Sequence, residues 1–389
     1  MPIFLGVVRG GLSVAWSRAM RARHLCVLGL ALAACKKDPP PPPKPSSATA
    51  SSSASAKPKL PVRLPTLRRG VIPQAEKAEA VCNDGSPAAF YVRRGLPGKD
   101  DHWIVFLEGG GSCTDLASCE ARKKQSRAMT SQGQPPRRKL AGIFDGDVKK
   151  NADFAGFTQV YVPYCSSDEW MGDRGASQET AGLHFRGHRI LEAVIETLER
   201  KRDNGPNLAE AKRLVLAGVE EGGLGVVHHI DAVAARLPEV EVVGVVDGLP
   251  TLAPLSPLEA AKRQKLWGAQ VDASCAEKEG KPEACHDARE VLTKHVKRPV
   301  FVRVDLRDAR AAGGRDVSDD GGEAPAGFTK RARTLLGGVS AGFGPATGRH
   351  VSLLGDAFFE EKATEDTLAA VLGRFVFGRE GDKKAVAKP

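Results

Sequence analysis

From about Leu60 onward, short apolar runs alternate with longer stretches in which apolar residues recur every three or four positions. The short runs, at residues 88–93, 103–107, 159–162, 213–217, 241–246 and 300–304, predict strands. Several are apolar without alternation, the pattern of strands buried on both faces. The helical period falls at 188–200, 224–236, 258–264 and 365–375. Strand and helix patterns in alternation predict an α/β domain over residues 61–389, with a mostly parallel central sheet and helices on both faces. Residues 122–139, basic and rich in Ser, Gln and Pro, and residues 311–327, rich in Gly and Asp, read as loops.

The first sixty residues follow another pattern. Arg21, Arg23 and His24 precede an apolar run over 25–34 that ends Leu32-Ala33-Ala34-Cys35. A basic start, a short apolar core and small residues before a cleavage point define a secretory signal. Leu-Ala-Ala-Cys resembles the lipobox of bacterial lipoproteins, which implies a signal ending at Cys35, a lipid anchor on that residue and a place in the cell envelope. Met20 gives such a signal its more usual length and is an expected start. Residues 36–60 hold five consecutive prolines from Pro39 and a Ser/Ala stretch over 46–56. Stiff polyproline followed by flexible chain predicts a tether, not a core. No run approaches the ~20 apolar residues of a spanning helix, so a multi-pass membrane protein is excluded.

Composition changes the picture in one respect. The 389 residues carry a net charge of +10, which raises the question of nucleic acid. Arg9, Arg18, Arg21 and Arg23 put +4 on residues 1–34, and five lysines against Asp38 put +4 on 35–60. Only +2 remains for 61–389, so the folded domain is close to neutral and nucleic acid is not an expected partner.

Four segments then occur in order. Cys82-Asn83-Asp84-Gly85-Ser86-Pro87 leads to Tyr91. Leu107-Glu108-Gly109-Gly110-Gly111 is followed by Cys113. Tyr164-Cys165-Ser166-Ser167-Asp168 runs on to Gly172-Asp173, and Phe185-Arg186-Gly187 opens a helix. Together, over roughly residues 82–378, they resemble the pectin acetylesterase family. The resemblance implies an α/β-hydrolase-like fold with a Ser-His-Asp triad, no cofactor or metal, and hydrolysis of O-acetyl or acyl esters on glycans or acylated proteins. The chain is expected to act as a monomer.

The triad chemistry needs a hydroxyl nucleophile, a base in reach of it and a carboxylate to orient the base. In the family the Ser stands in a Gly-x-Ser-x-Gly elbow between a strand and a helix. The matching segment is Gly218-Val219-Glu220-Glu221-Gly222-Gly223, so the glycine frame is intact but Glu220 stands at the nucleophile position. A carboxylate attacking an ester gives a mixed anhydride, a poor route to hydrolysis. Ordinary esterase activity is therefore expected to be lost or very weak. The resemblance carries the Asp to Asp308, with Asp305 as the competing choice, and the His to His350. An imidazole between Glu220 and Asp308 would be held as imidazolium in a buried ion-pair network. The oxyanion hole maps to the amides of Gly109, Gly110, Gly111 and Glu221. Ser112 follows these glycines where the family usually has Trp.

His228 and His229 are adjacent on a predicted helix, point about 100° apart and read as structural. Apart from Cys26 and Cys35, six cysteines remain, an even number in a chain with an export signal. Proximity in sequence favours Cys113–Cys119 and Cys275–Cys285, which leaves Cys82–Cys165. No paired Cys-x-x-Cys marks a zinc site.

Overall fold

The computed structural model describes residues 63–125, 129–200, 206–312 and 327–388. The signal segment with Met20 and Cys35, the tether and most of 311–327 lie outside them.

Among the described residues the strands are β1 (Leu67–Val71), β2 (Ala89–Arg93), β3 (His102–Leu107), β4 (Arg137–Arg138), β5 (Thr158–Val162), β6 (Arg213–Val219), β7 (Glu241–Asp247), β8 (Val300–Arg303), β9 (Ala341–Gly344) and β10 (Lys384–Val386). They form one sheet in the order β10-β9-β8-β7-β6-β3-β5-β2-β1-β4. Pairing is parallel from β10 across to β5 and antiparallel from β5 through β2 and β1 to β4. The mostly parallel sheet expected from the sequence is thus present, with antiparallel strands added at one edge.

The helices are α1 (Leu116–Gln125), α2 (Gly187–Glu199), α3 (Glu221–Arg236), α4 (Pro257–Trp267), α5 (Ala273–Glu279), α6 (Ala288–Lys294), α7 (Phe328–Gly338), α8 (Ala357–Glu360) and α9 (Leu368–Phe377). Successive side chains of a strand point to opposite faces. In β3, Trp103, Val105 and Leu107 pack with Ile190 and Val194 of α2, Val226 and Ile230 of α3 and Leu335 of α7. Ile104 and Phe106 pack on the other side with Phe358 of α8 and Val371 and Leu372 of α9. Every residue from Trp103 to Leu107 is buried, which is why the run reads as continuously apolar.

One expectation is corrected. Residues 122–139 are not all loop: α1 takes the chain to Gln125, and β4 occupies Arg137–Arg138. Leu116–Gln125 is rich in good helix formers but has no apolar stripe to reveal it, and tertiary ties hold it in place. Asp115 Oδ1 accepts from the Ser118 amide, Cys119 is bridged to Cys113, and Arg122 reaches across to Ser167.

The six cysteines pair as Cys113–Cys119 and Cys275–Cys285, which sequence proximity favoured, and as Cys82–Cys165, the pair that left. The last closes a separation of 83 residues and ties the Asn83 turn to the chain beyond β5.

Candidate active site

The end of β6 turns into α3 at Glu220, whose backbone has φ 51° and ψ −121°. That region is disfavoured for a residue with a Cβ and costs on the order of 1–3 kcal/mol. It aims the side chain away from the sheet, as a nucleophile elbow requires. Two glycines make room for the turn. A Cβ on Gly218 would lie 2.2 Å from the carbonyl carbon of Gly222, and one on Gly222 would lie 2.0 Å from the Leu107 carbonyl oxygen at the end of β3. The Glu220 amide donates to the Asp247 carbonyl with N···O 3.0 Å, fixing the elbow to β7.

The structure brings Glu220, His350 and Asp308 together. His350 Nδ1 lies 2.7 Å from Asp308 Oδ2, and both side chains are 2% exposed. His350 Nε2 lies 3.5 Å from Glu220 Oε1. Arg310 Nη2 approaches the same Glu220 oxygen at 2.9 Å. Asp305, the competing choice, instead accepts from the amides of Thr347, Gly348 and Arg307 and holds the loop that carries His350. Burial opposes charge on His350, but the hydrogen bonds and charges of Asp308 and Glu220 outweigh it and push its pKa up to about 9. Burial likewise opposes charge on Glu220, while His350 and Arg310 hold it below the usual carboxylate range. At neutral pH the arrangement is therefore carboxylate–imidazolium–carboxylate, without a free base.

The expected oxyanion hole holds a feature that sequence reasoning missed. Glu221 is the first residue of α3, and its amide was assigned to the hole. Its side chain folds back so that Oε2 accepts from the Gly110 amide at 2.8 Å and the Gly111 amide at 2.7 Å. Gly109 packs against the elbow, where an added Cβ would meet Glu220 Cβ at 2.5 Å. Glu221 is 6% exposed. Burial and the neighbouring Glu220 charge raise its pKa, and the two glycine amides pull against that rise. The legible signal was an acidic doublet in the first turn of a helix facing a Gly-Gly-Gly loop. Amides at such a place attract a carboxylate.

The other motif segments are tied to the cleft through Arg122, Ser112 and Glu169, which line it. Asn83 Nδ2 donates to the Ser166 and His184 carbonyls, and its Oδ1 accepts from Ser167 Oγ. Arg122 donates from Nε to Ser167 Oγ and from Nη2 to the Gly110 carbonyl, which ties the glycine loop to these segments. Asp168 accepts from Ser166 Oγ and from the Gly187 and Trp170 amides, and burial pushes its pKa up to about 7. Ser112, in the expected Trp position, donates to Glu169, which pairs with Arg263. The cleft in front of Glu220 has a volume of about 500 Å³. Its lining includes Arg122, Arg263, Arg289 and Arg310 with Glu169, Glu220, Glu221 and Asp287.

His229 Nε2 pairs with the Trp170 carbonyl at 2.8 Å, and His228 is buried beside it. Among the described residues no three His, Cys, Asp or Glu side chains are grouped to hold a metal ion.

The chain is 30% identical over 249 residues to the palmitoleoyl-protein carboxylesterase NOTUM of Schmidtea mediterranea, covering 58% of this chain and 46% of the relative. It is 34% identical over 164 residues to pectin acetylesterase 11 of Arabidopsis thaliana, covering 42% and 40%. It spans about half the length, or less, of these curated relatives. The solved structure of the Wnt deacylase Notum from Drosophila superposes with a TM-score of 0.71 at 26% identity, over 84% of this chain and 97% of that one. Residues 66–310 match the family model described as pectinacetylesterase, and the chain belongs to that family.

Proposed function

We propose that this chain is an exported lipoprotein, anchored through Cys35 and spaced from the membrane by residues 36–60. In this reading its pectinacetylesterase-type domain has lost ester turnover, or keeps it only very weakly, and uses the inherited cleft to bind an acetylated glycan or acylated ligand. The observation that carries the reading is Glu220 at the tip of the elbow, clamped by Arg310 and His350. Without a hydroxyl there is no alkoxide precursor, and attack by the carboxylate would leave a mixed anhydride. With His350 charged there is no base to accept a proton. The charged side chains of the cleft suit a hydrated, hydroxyl-rich ligand better than a long apolar chain.

Purified protein should hydrolyse p-nitrophenyl acetate no faster than a protein-free control between pH 6 and 9. Saturable turnover well above that control, lost in His350→Ala, would overturn the loss of catalysis. Anchoring has its own measurement. Full-length protein expressed in a bacterium should take up labelled palmitate, and Cys35→Ala should take up none.

A further inference from the structure

We infer that the esterase site is blocked twice, and that the second block is the Glu221 carboxylate lying in the oxyanion hole. The inference goes beyond the lost nucleophile, although it rests on the same reading of the cleft.

The hole of this fold is a set of backbone amides aimed at the place where an ester carbonyl oxygen gains charge. Here two of those amides, on Gly110 and Gly111, converge on a single oxygen, Glu221 Oε2, at 2.8 and 2.7 Å. These are the distances at which such donors hold an oxyanion. The side chain of the residue next to the nucleophile position thus takes the place of the reacting oxygen. It does not lie there loosely. The glycine loop is fixed by Arg122 on the Gly110 carbonyl, and Glu221 begins α3, whose dipole favours a carboxylate in its first turn. Its tether is intramolecular, so a substrate carbonyl competes with a group at very high effective concentration. A neutral ester oxygen is also a weaker acceptor than a carboxylate.

The consequence concerns repair of the site. Replacing Glu220 by serine supplies a hydroxyl and removes one of the carboxylates that keep His350 charged. The ester reaction then requires that hydroxyl to attack the acetyl carbon while its proton passes to His350 Nε2. A C–O bond forms, p-nitrophenolate departs, and water later cleaves the acyl-enzyme to acetate. Each tetrahedral intermediate needs the hole that Glu221 fills.

The test compares Glu220→Ser, Glu221→Ala, Glu220→Ser with Glu221→Ala, and Glu220→Ser with Glu221→Gln on p-nitrophenyl acetate. Removal of one oxyanion donor costs about 10²–10³ in rate. The serine–alanine double variant should therefore exceed Glu220→Ser by at least about 100-fold. Glu221→Ala alone should stay at background. The serine–glutamine variant should resemble Glu220→Ser, because an amide oxygen of the same reach still accepts from both glycines. Equal rates for Glu220→Ser and the serine–alanine variant overturn the inference, whether both turn over or neither does. Turnover by the unaltered protein would instead overturn the reading of lost catalysis, so the two failures are distinguishable. A second readout needs no catalysis. Added acetate should shift the Gly110 and Gly111 amide resonances of Glu221→Ala and leave those of the unaltered protein in place. Equal shifts in both proteins also overturn it. Glu221→Gly serves in the same comparisons if the alanine variant does not fold.

Discussion

Glu220→Gln should lower the pKa of His350 from about 9, leaving Asp308 as its remaining carboxylate partner. The direction follows from charge. The imidazolium is favoured by two carboxylates, one at each ring nitrogen, and the glutamine amide keeps the shape of one of them without its charge. The same shift carries a stability signature. His350 has an ordinary value of 6.5 and is raised in the folded state, so its protonation stabilises the fold fully below about pH 6.5. That contribution fades as the pH rises towards 9 and is absent above it. Its size is on the order of 3 kcal/mol, since one pKa unit corresponds to about 1.4 kcal/mol. The difference in unfolding free energy between the unaltered protein and His350→Gln should therefore shrink by about that amount from pH 6 to pH 9.5. Glu220→Gln should show a smaller loss that is complete at lower pH, because the folded pKa of His350 then lies closer to the ordinary value. Ring-proton NMR titration measures the pKa directly, and urea unfolding at several pH values measures the linkage. A His350 that titrates near 6.5 in both proteins would mean that the ion-pair network does not form in solution.

What was legible in the sequence follows from where the apolar residues lie. β3, β6 and β7 are buried on both faces and read as apolar runs, and β5 adds Val160, Tyr161 and Val162 after the buried Thr158 and Gln159. The edges of the sheet were not legible. β1 mixes Arg68 and Arg69 with Leu67 and Val71, and three of its five residues are exposed to solvent. β9 is Ala-Gly-Phe-Gly, and β10 has three residues. Neither has enough side chain to show a period, and only the sheet makes them strands. In the site, Asp308 and His350 were placed by motif order, and the fold brings them together. The Glu221 side chain could not be placed in that way. Its direction is set by the glycine loop that follows β3, which parallel pairing with β6 brings alongside the elbow: Leu107 is paired with Gly218 across 111 positions of chain. Arg310 was unreadable for a similar reason, because it borders a Gly/Asp-rich segment with no pattern to assign it a direction.

Arg303→Met should be the most damaging single change outside the cleft, costing about 3–5 kcal/mol or more. Arg303 ends the strand Val-Phe-Val-Arg and is 0% exposed. Its guanidinium meets Asp247 at 3.2 Å, Glu361 at 2.8 Å and Asp305 at 3.8 Å. It also donates to the His350 and Arg349 carbonyls. Asp247 accepts in turn from the Ser352 and Leu353 amides, and its carbonyl receives the Glu220 amide. One buried cation thus fixes both the loop that carries His350 and the strand end behind the elbow. Removing it strands three buried carboxylates, and losing one member of a buried charge pair costs about 3–5 kcal/mol. Arg303→Lys keeps the charge but lacks the fork that reaches two carboxylates and two carbonyls at once, so its loss should be intermediate. The pH dependence identifies the cause. Burial already raises the folded pKa of Asp247 against the pull of Arg303, and without the arginine it rises further, beside buried carboxylates left without their cation. The penalty should then be large above about pH 5 and shrink as acid neutralises them. Urea unfolding of both variants at pH 4.5 and pH 7 tests this. A methionine variant within about 1 kcal/mol of the unaltered protein at pH 7 would show that hydrophobic packing, not the charge network, holds the His350 loop in place.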